Sequence, residues 1–383
     1  MVTQTTVETL AQLVAFPTVS RDSNEALIRY AAERLAAAGG RVRVLPGERA
    51  GKTNLIASFG SDGEGGIVLS AHSDVVPTDG QEWTSDPFVL TEREGRLYAR
   101  GTSDMKGFIA CMLSAADSLP GADLARPLHI AISHDEEIGC VGVRSMLQRL
   151  AAEGFRAAGC IVGEPTELMI ATGHKGKIAG RISAQGQAAH SANPTLGCNA
   201  INLAAGMIRE TEALQDWLVR SGAHDAAYAV PYSTVHVGTI AGGTALNIVP
   251  ESCSVGFEIR FLPGDSPDEL LARLTARGQE IAASARSGGR AAAIEISVQN
   301  AYPGLQTEED APIAQLVRQA GAGATVKLNF GTEGGLFNDM LGVPTVVCGP
   351  GSIDRAHKPD EFITRDELTA GDSFLARIVR SLR

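Results

Sequence analysis

The strongest limit on how this chain folds is a repeated figure: a short apolar run that stops at a polar, ligand-capable residue. The runs are Thr53 to Phe59, Gly66 to Ala71, Leu128 to Ser133 and Gly159 to Val162, each bounded by Gly, Pro or polar residues. Runs this short between turn signals read as buried strands. Helical patterns at 106–118 and 140–152 stand among them. Earlier, the pattern from 6 to 38 is helical. Leu10, Leu13 and Val14 share one face, and a second helix near 24–38 stops at Gly39-Gly40. Strands alternating with helices predict an α/β fold on a central, mostly parallel sheet.

After Gly176 the rhythm changes. The pattern reads strand 177–185, helix 197–214, strands near 232–240 and 252–261, helix 267–284 and strand 293–299. That βαββαβ order is the split-βαβ, ferredoxin-like arrangement. From 311 the α/β pattern resumes, with a helix to 320, a short strand at 325–328, the run Thr345 to Cys348 and a final helix from 365 to 382. The expectation is two domains in 383 residues: 1–175 joined with 300–383, and 176–299 inserted between them. Gly60 to Gly66 reads as a flexible turn and not a phosphate loop, since no strand–GxxxxGK–helix unit is present.

Composition narrows the partners. The 44 acidic against 33 basic residues give a net charge of −11, which argues against nucleic acid or an anionic membrane surface. No stretch approaches the roughly 18 apolar residues of a membrane span. The first residues lack a basic, then apolar, leader, so a cytoplasmic location is expected. The six cysteines include no CxxC pair and lie in apolar stretches, which reads as buried free thiols in a reducing compartment.

Five places just after apolar runs carry chemistry, where α/β folds put their sites. They are Leu69 to Pro77 with His72 and Asp74, Arg100 to Gly107 with Asp104, Ile132 to Gly139 with Glu136 and Glu137, Cys160 to Thr166 with Glu164, and Gly349 to Glu361 with His357. Taken singly, each has a bland reading: a strand-end histidine, a helix cap for Asp104, a solvated charge run. Taken together, His72, Asp104, Glu137, Glu164 and His357 offer two imidazoles and three carboxylates. That set suits two divalent ions, Zn²⁺ above all, with one carboxylate bridging. Two ions about 3.5–4 Å apart lower the pKa of a shared water and clamp the attacked oxygen. Asp74 can hold the other nitrogen of His72, and Glu136 would take the proton.

The motifs HSDVVP, GTSDMKG, DEEIG, GEPT and AHKPDE follow one another along the chain. In order and spacing they make the chain resemble the dinuclear zinc aminoacylase/carboxypeptidase family over nearly its whole length. The resemblance implies His72, Asp104 and Glu164 on one zinc, and Asp104, Glu137 and His357 on the other, with Co²⁺ as an alternative metal. Asp104 is then the bridge, Asp74 orients His72, and Glu136 is general base and later acid. It also implies an inserted lid that forms a homodimer. In Gly186 to Pro194, His190 matches a residue that reaches across that dimer to the tetrahedral oxyanion. Asn247 and Arg260 match residues that bind the substrate carboxylate, which the planar fork of Arg suits.

The stretch Asn329 to Phe337 carries glycines on both sides of Glu333, Gly331 before it and Gly334-Gly335 after it, which suggests backbone close to a ligand. It is similar to family members that deacetylate N-acetylornithine, whereas desuccinylases carry Ser-Asp-Gly-Arg-like residues there. Glu333 is therefore expected to meet a cationic ornithine side chain. The implied reaction is N2-acetyl-L-ornithine plus water to L-ornithine and acetate. Desuccinylase, broad aminoacylase and dipeptidase activities are the alternatives within the family, and a non-catalytic metal-binding scaffold is the alternative outside enzymes. The absence of GxSxG and of HExxH disfavours a serine hydrolase and that class of zinc peptidase.

Overall fold

The computed structural model describes residues 4–61, 65–121, 123–286 and 289–383; residues 62–64, the middle of the turn expected at 60–66, lie outside this description, as do residues 1–3. Within it the chain forms two compact units. One comprises 1–173, 305–327 and 332–383, the other 174–304 with 328–331.

The first unit is built on a nine-stranded sheet. Its centre is four parallel strands in the order Leu128–Ser133, Ile67–His72, Gly159–Pro165, Thr345–Gly349. Antiparallel strands flank this centre. Thr53–Phe59 pairs with Leu128–Ser133 and carries Arg41–Pro46 on its other edge, while Ile170–His174 lies beside Thr345–Gly349. Every residue of the four central strands is buried. That is why they read as continuous apolar runs without alternation, as strands covered on both faces do. The helix Gly107–Ala116 is buried almost all round and packs between Gln4–Val14 and Arg365–Ser381. Leu10, Leu13, Phe108, Ile109, Leu113, Phe374 and Ile378 belong to one core. Gly163 permits the closest approach in that core, since a Cβ there would lie 1.9 Å from the Phe108 ring. The final helix starts at a reciprocal cap between Thr364 and Glu367.

Some elements depart from expectation. The strand Gly159–Pro165 runs three residues past its expected end, because parallel pairing with Thr345–Gly349 continues to Gly349 and Pro165. Glu164 thus lies within the strand. A small sheet of Thr91–Arg93, Arg96–Tyr98 and Phe362–Thr364 is unanticipated. So is the helix Gly334–Leu341. Gly334 and Gly335 are its buried first residues, and a Cβ on Gly331 would meet the Tyr302 ring at 2.1 Å. Gly331 and Gly334 thus lie close against protein neighbours.

The second unit has the order strand Gly176–Gln185, helix Ala200–Ser221, strands Thr234–Gly242 and Ser252–Phe261, helix Pro267–Arg286 and strand Ala293–Tyr302. Its four strands form an antiparallel sheet in the spatial order 234–242, 252–261, 176–185, 293–302. Ser252–Phe261 alternates, so Cys253, Val255, Phe257, Ile259 and Phe261 are buried in a core with Leu203, Met207, Leu270 and Leu274 of the helices. Asn199 caps the first helix by accepting from the N–H groups of Ile201 and Asn202. All six cysteines are buried and free. No described helix is long and apolar enough to cross a membrane.

Candidate active site

The strands Ile67–His72, Leu128–Ser133 and Gly159–Pro165 run in parallel, and so present their carboxyl ends on one edge of the sheet. His72, the turn Asp135–Glu137 and Glu164 sit at those ends. Asp104 joins them from the turn between Gly101 and the helix Gly107–Ala116. That turn needs glycine at 101, which takes φ 84° and where a Cβ would meet Val75 at 2.8 Å. His357 arrives from the loop after Thr345–Gly349.

These residues converge. His72 Nε2 lies 3.1 Å from Asp104 Oδ1 and 3.6 Å from Glu164 Oε1. His357 Nε2 lies 3.2 Å from Asp104 Oδ2 and 3.0 Å from Glu137 Oε2. One carboxylate therefore offers one oxygen to each imidazole, with a further carboxylate beside each ring. Glu136, half-buried, accepts from the Cys140 thiol at 3.2 Å. One of its oxygens, one of Glu164 and a ring nitrogen of His72 also lie within 4.8 Å of one another.

The donor set fits divalent cations. His72 Nδ1 is 2.9 Å from the carbonyl oxygen of Asp74, which can only accept, so Nδ1 carries the hydrogen. In a neutral ring Nε2 is then a bare lone pair aimed at two carboxylate oxygens. A cation between them, or a proton, removes that conflict. Among the described residues Glu137 Oε1 is buried without a hydrogen-bond partner, which is costly for a carboxylate unless a cation takes it.

The titration of the metal-free site tells the same story. Burial pushes the Glu136 carboxyl up to about 8 and that of Glu137 up to about 7, with neighbouring acids adding to both. Burial and the Asp104 charge hold Glu164 well above the carboxylate range. Burial opposes charge on His72, yet Asp104, Asp74 and Glu164 outweigh it and keep the ring basic. Asp104 and Glu137 draw His357 up to about 10. Burial also opposes ionisation of Asp104, but the two imidazoles hold it below its ordinary value. The pocket thus concentrates more negative charge than its own cations neutralise.

Two expected residues have further partners. Asp74 meets His72 Nδ1 twice, through its backbone carbonyl at 2.9 Å and its carboxylate at 3.6 Å. That carboxylate also accepts from Ser20 Oγ at 2.7 Å and from the N–H groups of Glu136 at 3.1 Å and Glu137 at 3.3 Å. It fixes the turn that bears both glutamates. Glu333 is 1% exposed and accepts from Ser133 and Ser70 beneath the strand ends, where burial pushes its carboxyl up to about 7.

Other contributors escape sequence reasoning. Lys52 pairs with Asp135 at 2.6 Å and holds the residue before Glu136 at φ 54°. Glu361 and Arg100 form a buried ion pair at 2.7 Å behind the Asp104 turn. For Glu361 a signal exists: an acid four residues after His357 in a run otherwise read only for its histidine.

In the second unit, a two-residue antiparallel ladder pairs His190 with Ile248, and the carbonyl of Asn247 accepts from the Ser191 N–H, which brings His190 and Asn247 together. His190 is exposed. Its Nδ1 accepts from the Ala192 N–H at 3.0 Å, so the neutral ring keeps Nε2–H as a free-standing donor. Arg260 donates to Glu258 at 2.6 Å and to the Tyr302 hydroxyl at 3.0 Å.

The sequence profile of peptidase family M20/M25/M40 matches residues 68–381. The chain is 35% identical to an acetylornithine deacetylase of Pasteurella multocida, with 96% of this chain and 95% of that one covered. It is 37% identical to an acetylornithine deacetylase of Klebsiella pneumoniae, with 97% and 96% covered. Among solved structures, an M20 family metallo-carboxypeptidase of Sulfolobus solfataricus shares the fold with a TM-score of 0.80 at 19% identity, covering 99% of both chains. An aminopeptidase of Bacillus cereus does so with 0.75 at 20% identity, covering 99% and 98%. The profile spans most of the chain and the relatives span nearly all of it: this protein belongs to the hydrolases of peptidase family M20/M25/M40.

Proposed function

We propose that the chain is a dinuclear-metal amidohydrolase that removes the acetyl group from N2-acetyl-L-ornithine, giving L-ornithine and acetate as a step of arginine biosynthesis. The observation that carries the chemistry is Asp104, with one oxygen at His72 and the other at His357. The names of the relatives support the choice of substrate.

His72, Asp104 and Glu164 would hold one ion, and Asp104, Glu137 and His357 the other. Zn²⁺ suits this mixed nitrogen and oxygen set, with Co²⁺ as the alternative. Bound there, such a pair supplies Lewis-acid polarisation of the amide carbonyl and acidification of water. Glu136 takes the proton of the attacking water and returns it to the departing amine, for which a buried carboxyl is well matched. The Nε2–H of His190 donates to the developing oxyanion. Asn247 and Arg260 bind the substrate carboxylate, which competes with Glu258 for the guanidinium. A homodimer formed through the second unit and a cytoplasmic location complete the proposal.

A panel of N-acetyl, N-succinyl and N-formyl amino acids and dipeptides, assayed with Zn²⁺ or Co²⁺ restored after chelation, tests the specificity. N-acetylornithine is expected to show the highest kcat/KM. A higher value for an N-succinyl substrate or a dipeptide overturns the assignment while leaving the metal chemistry intact. His190→Ala is expected to lower kcat about 10²–10³-fold, the usual effect of losing one oxyanion donor. A change confined to KM would remove His190 from that role.

A further inference from the structure

Glu361 stands four residues after His357 and is 1% exposed. Its carboxylate takes four donors. Oε1 accepts from the N–H groups of Ser103 at 2.9 Å and Asp104 at 3.1 Å. Oε2 accepts from the Gly101 N–H at 3.0 Å and from Arg100 Nη1 at 2.7 Å. Arg100, also 1% exposed, continues the chain of contacts. Its Nη2 donates to Gln81 Oε1 at 2.6 Å, and Gln81 Nε2 donates to the carbonyl of His357 at 3.0 Å. Arg100 Nη1 also reaches the Lys358 carbonyl at 3.4 Å, and the Trp83 ring stacks 5.0 Å from the guanidinium.

One carboxylate and one guanidinium thus grip the backbone at two places from distant parts of the chain. These are the turn that aims Asp104 and the loop that presents His357. Three N–H groups converging on a single carboxylate form an anion-holding concavity that needs no metal to exist. Its occupant is supplied by the His357 loop itself. We propose that Glu361, acting through the Gly101–Asp104 backbone and through Arg100 and Gln81, is the positioning residue that sets Asp104 and His357 in register before any metal arrives. The inference rests on the proposed metal centre and adds to it. Part of the cost of assembling ligands is met when the protein folds, and that raises affinity for the ions Asp104 shares.

Glu361→Gln is the sharpest test. The amide keeps shape and volume, but its NH₂ must face a backbone N–H or Arg100, so the grip on the turn is lost. Chelated protein is titrated with Co²⁺ and followed by visible absorption, alongside thermal melting. Glu361→Gln is expected to bind Co²⁺ about 10–100-fold more weakly, with an altered band, as for other residues that orient metal ligands. Gln81→Leu, which removes the links to the His357 carbonyl and Arg100 together with the bond from the Trp83 indole N–H, is expected to show a smaller loss. Glu367→Gln is the control: it removes the charge of the Arg355 ion pair, while its amide oxygen can still close the helix cap with Thr364, so it lowers the melting temperature modestly and leaves the Co²⁺ curve unchanged. The wild type supplies a reading that no variant can spoil. Amides of residues 101, 103 and 104 are expected to resist hydrogen exchange in the metal-free protein as they do in the loaded one.

Wild-type Co²⁺ affinity and band shape in Glu361→Gln overturn the proposal. So do metal-free amides at 101–104 that exchange freely until Co²⁺ is added, and a Co²⁺ curve that Glu367→Gln weakens equally. If Glu361→Gln does not fold, the exchange measurement and Gln81→Leu decide the matter. A wild type that takes up no Co²⁺ at all brings down the metal centre itself, an outcome distinct from the failure of the grip alone.

Discussion

Glu136→Gln is expected to retain two divalent ions per chain and to hydrolyse N-acetylornithine about 10²–10⁴-fold more slowly, the range over which a positioned proton carrier accelerates such reactions. The backbone of Glu136 is tied to Asp74 and its carboxylate to Cys140. His72, Asp104, Glu137, Glu164 and His357 already account for the two imidazole-centred sets without it. The rival role is real in the geometry, because a Glu136 oxygen, one of Glu164 and a ring nitrogen of His72 also lie within 4.8 Å of one another. Metal content separates the two roles. A variant that loses turnover and one ion together makes Glu136 a ligand and requires another base.

Stripping the metal is expected to reverse the pH dependence of stability. An unfolded glutamate titrates near 4.3 and an unfolded histidine near 6.5. In the metal-free fold, burial raises Glu136 to about 8, Glu137 to about 7 and Glu333 to about 7, and Glu164 in the same direction. From about pH 5 to 8 the folded chain therefore binds more protons than the unfolded one, and its stability falls as pH rises. His72 and His357, raised in the fold, act in the same sense. Their contribution is complete below about 6.5, and that of His357 is lost as pH climbs toward about 10. Asp74 and Asp104, lowered, lose their contribution only below their ordinary range and stay constant across this window. The loaded protein behaves oppositely, since cation ligands must shed protons and affinity grows with pH. Melting with and without chelator is expected to show the metal-free midpoint dropping on the order of 5–10 °C between about pH 5.5 and 8, a few kcal/mol for units of this size. The gap to the loaded form should be widest at pH 8. A metal-free midpoint that holds or rises over that interval contradicts a cluster of buried, proton-dependent carboxylates.

What the sequence revealed, and what it hid, follows one physical line. The central strands were legible because burial on both faces demands unbroken apolar runs. His72, Asp104, Glu136, Glu137, Glu164 and His357 were legible because a charge beside such a run has to answer for its desolvation. The further partners of Asp74, and Glu361 altogether, were not. Each carboxylate is satisfied by partners far away in sequence, such as Ser20 for Asp74 or the Gly101–Asp104 turn for Glu361, and no local pattern encodes such pairings. The burial of Glu333 was hidden for a related reason. Glycines beside an acid do not announce in sequence that one starts a helix and another abuts the ring of Tyr302. The hairpin Thr91–Tyr98 was missed because its strands are three residues each, too short for any periodicity to register.

The divided path of the chain through the first unit has a consequence in time. The second unit is almost continuous in sequence, whereas the first resumes only at 305. During synthesis the ferredoxin-like segment can close its own sheet while the larger sheet still lacks Thr345–Gly349, a central strand. His72, Asp104, Glu137 and Glu164 emerge early and wait for His357 and Glu361, the last parts of the site to leave the ribosome. A nascent chain therefore carries a cluster of acids with no fixed partner, and the reactive centre is the final thing it acquires.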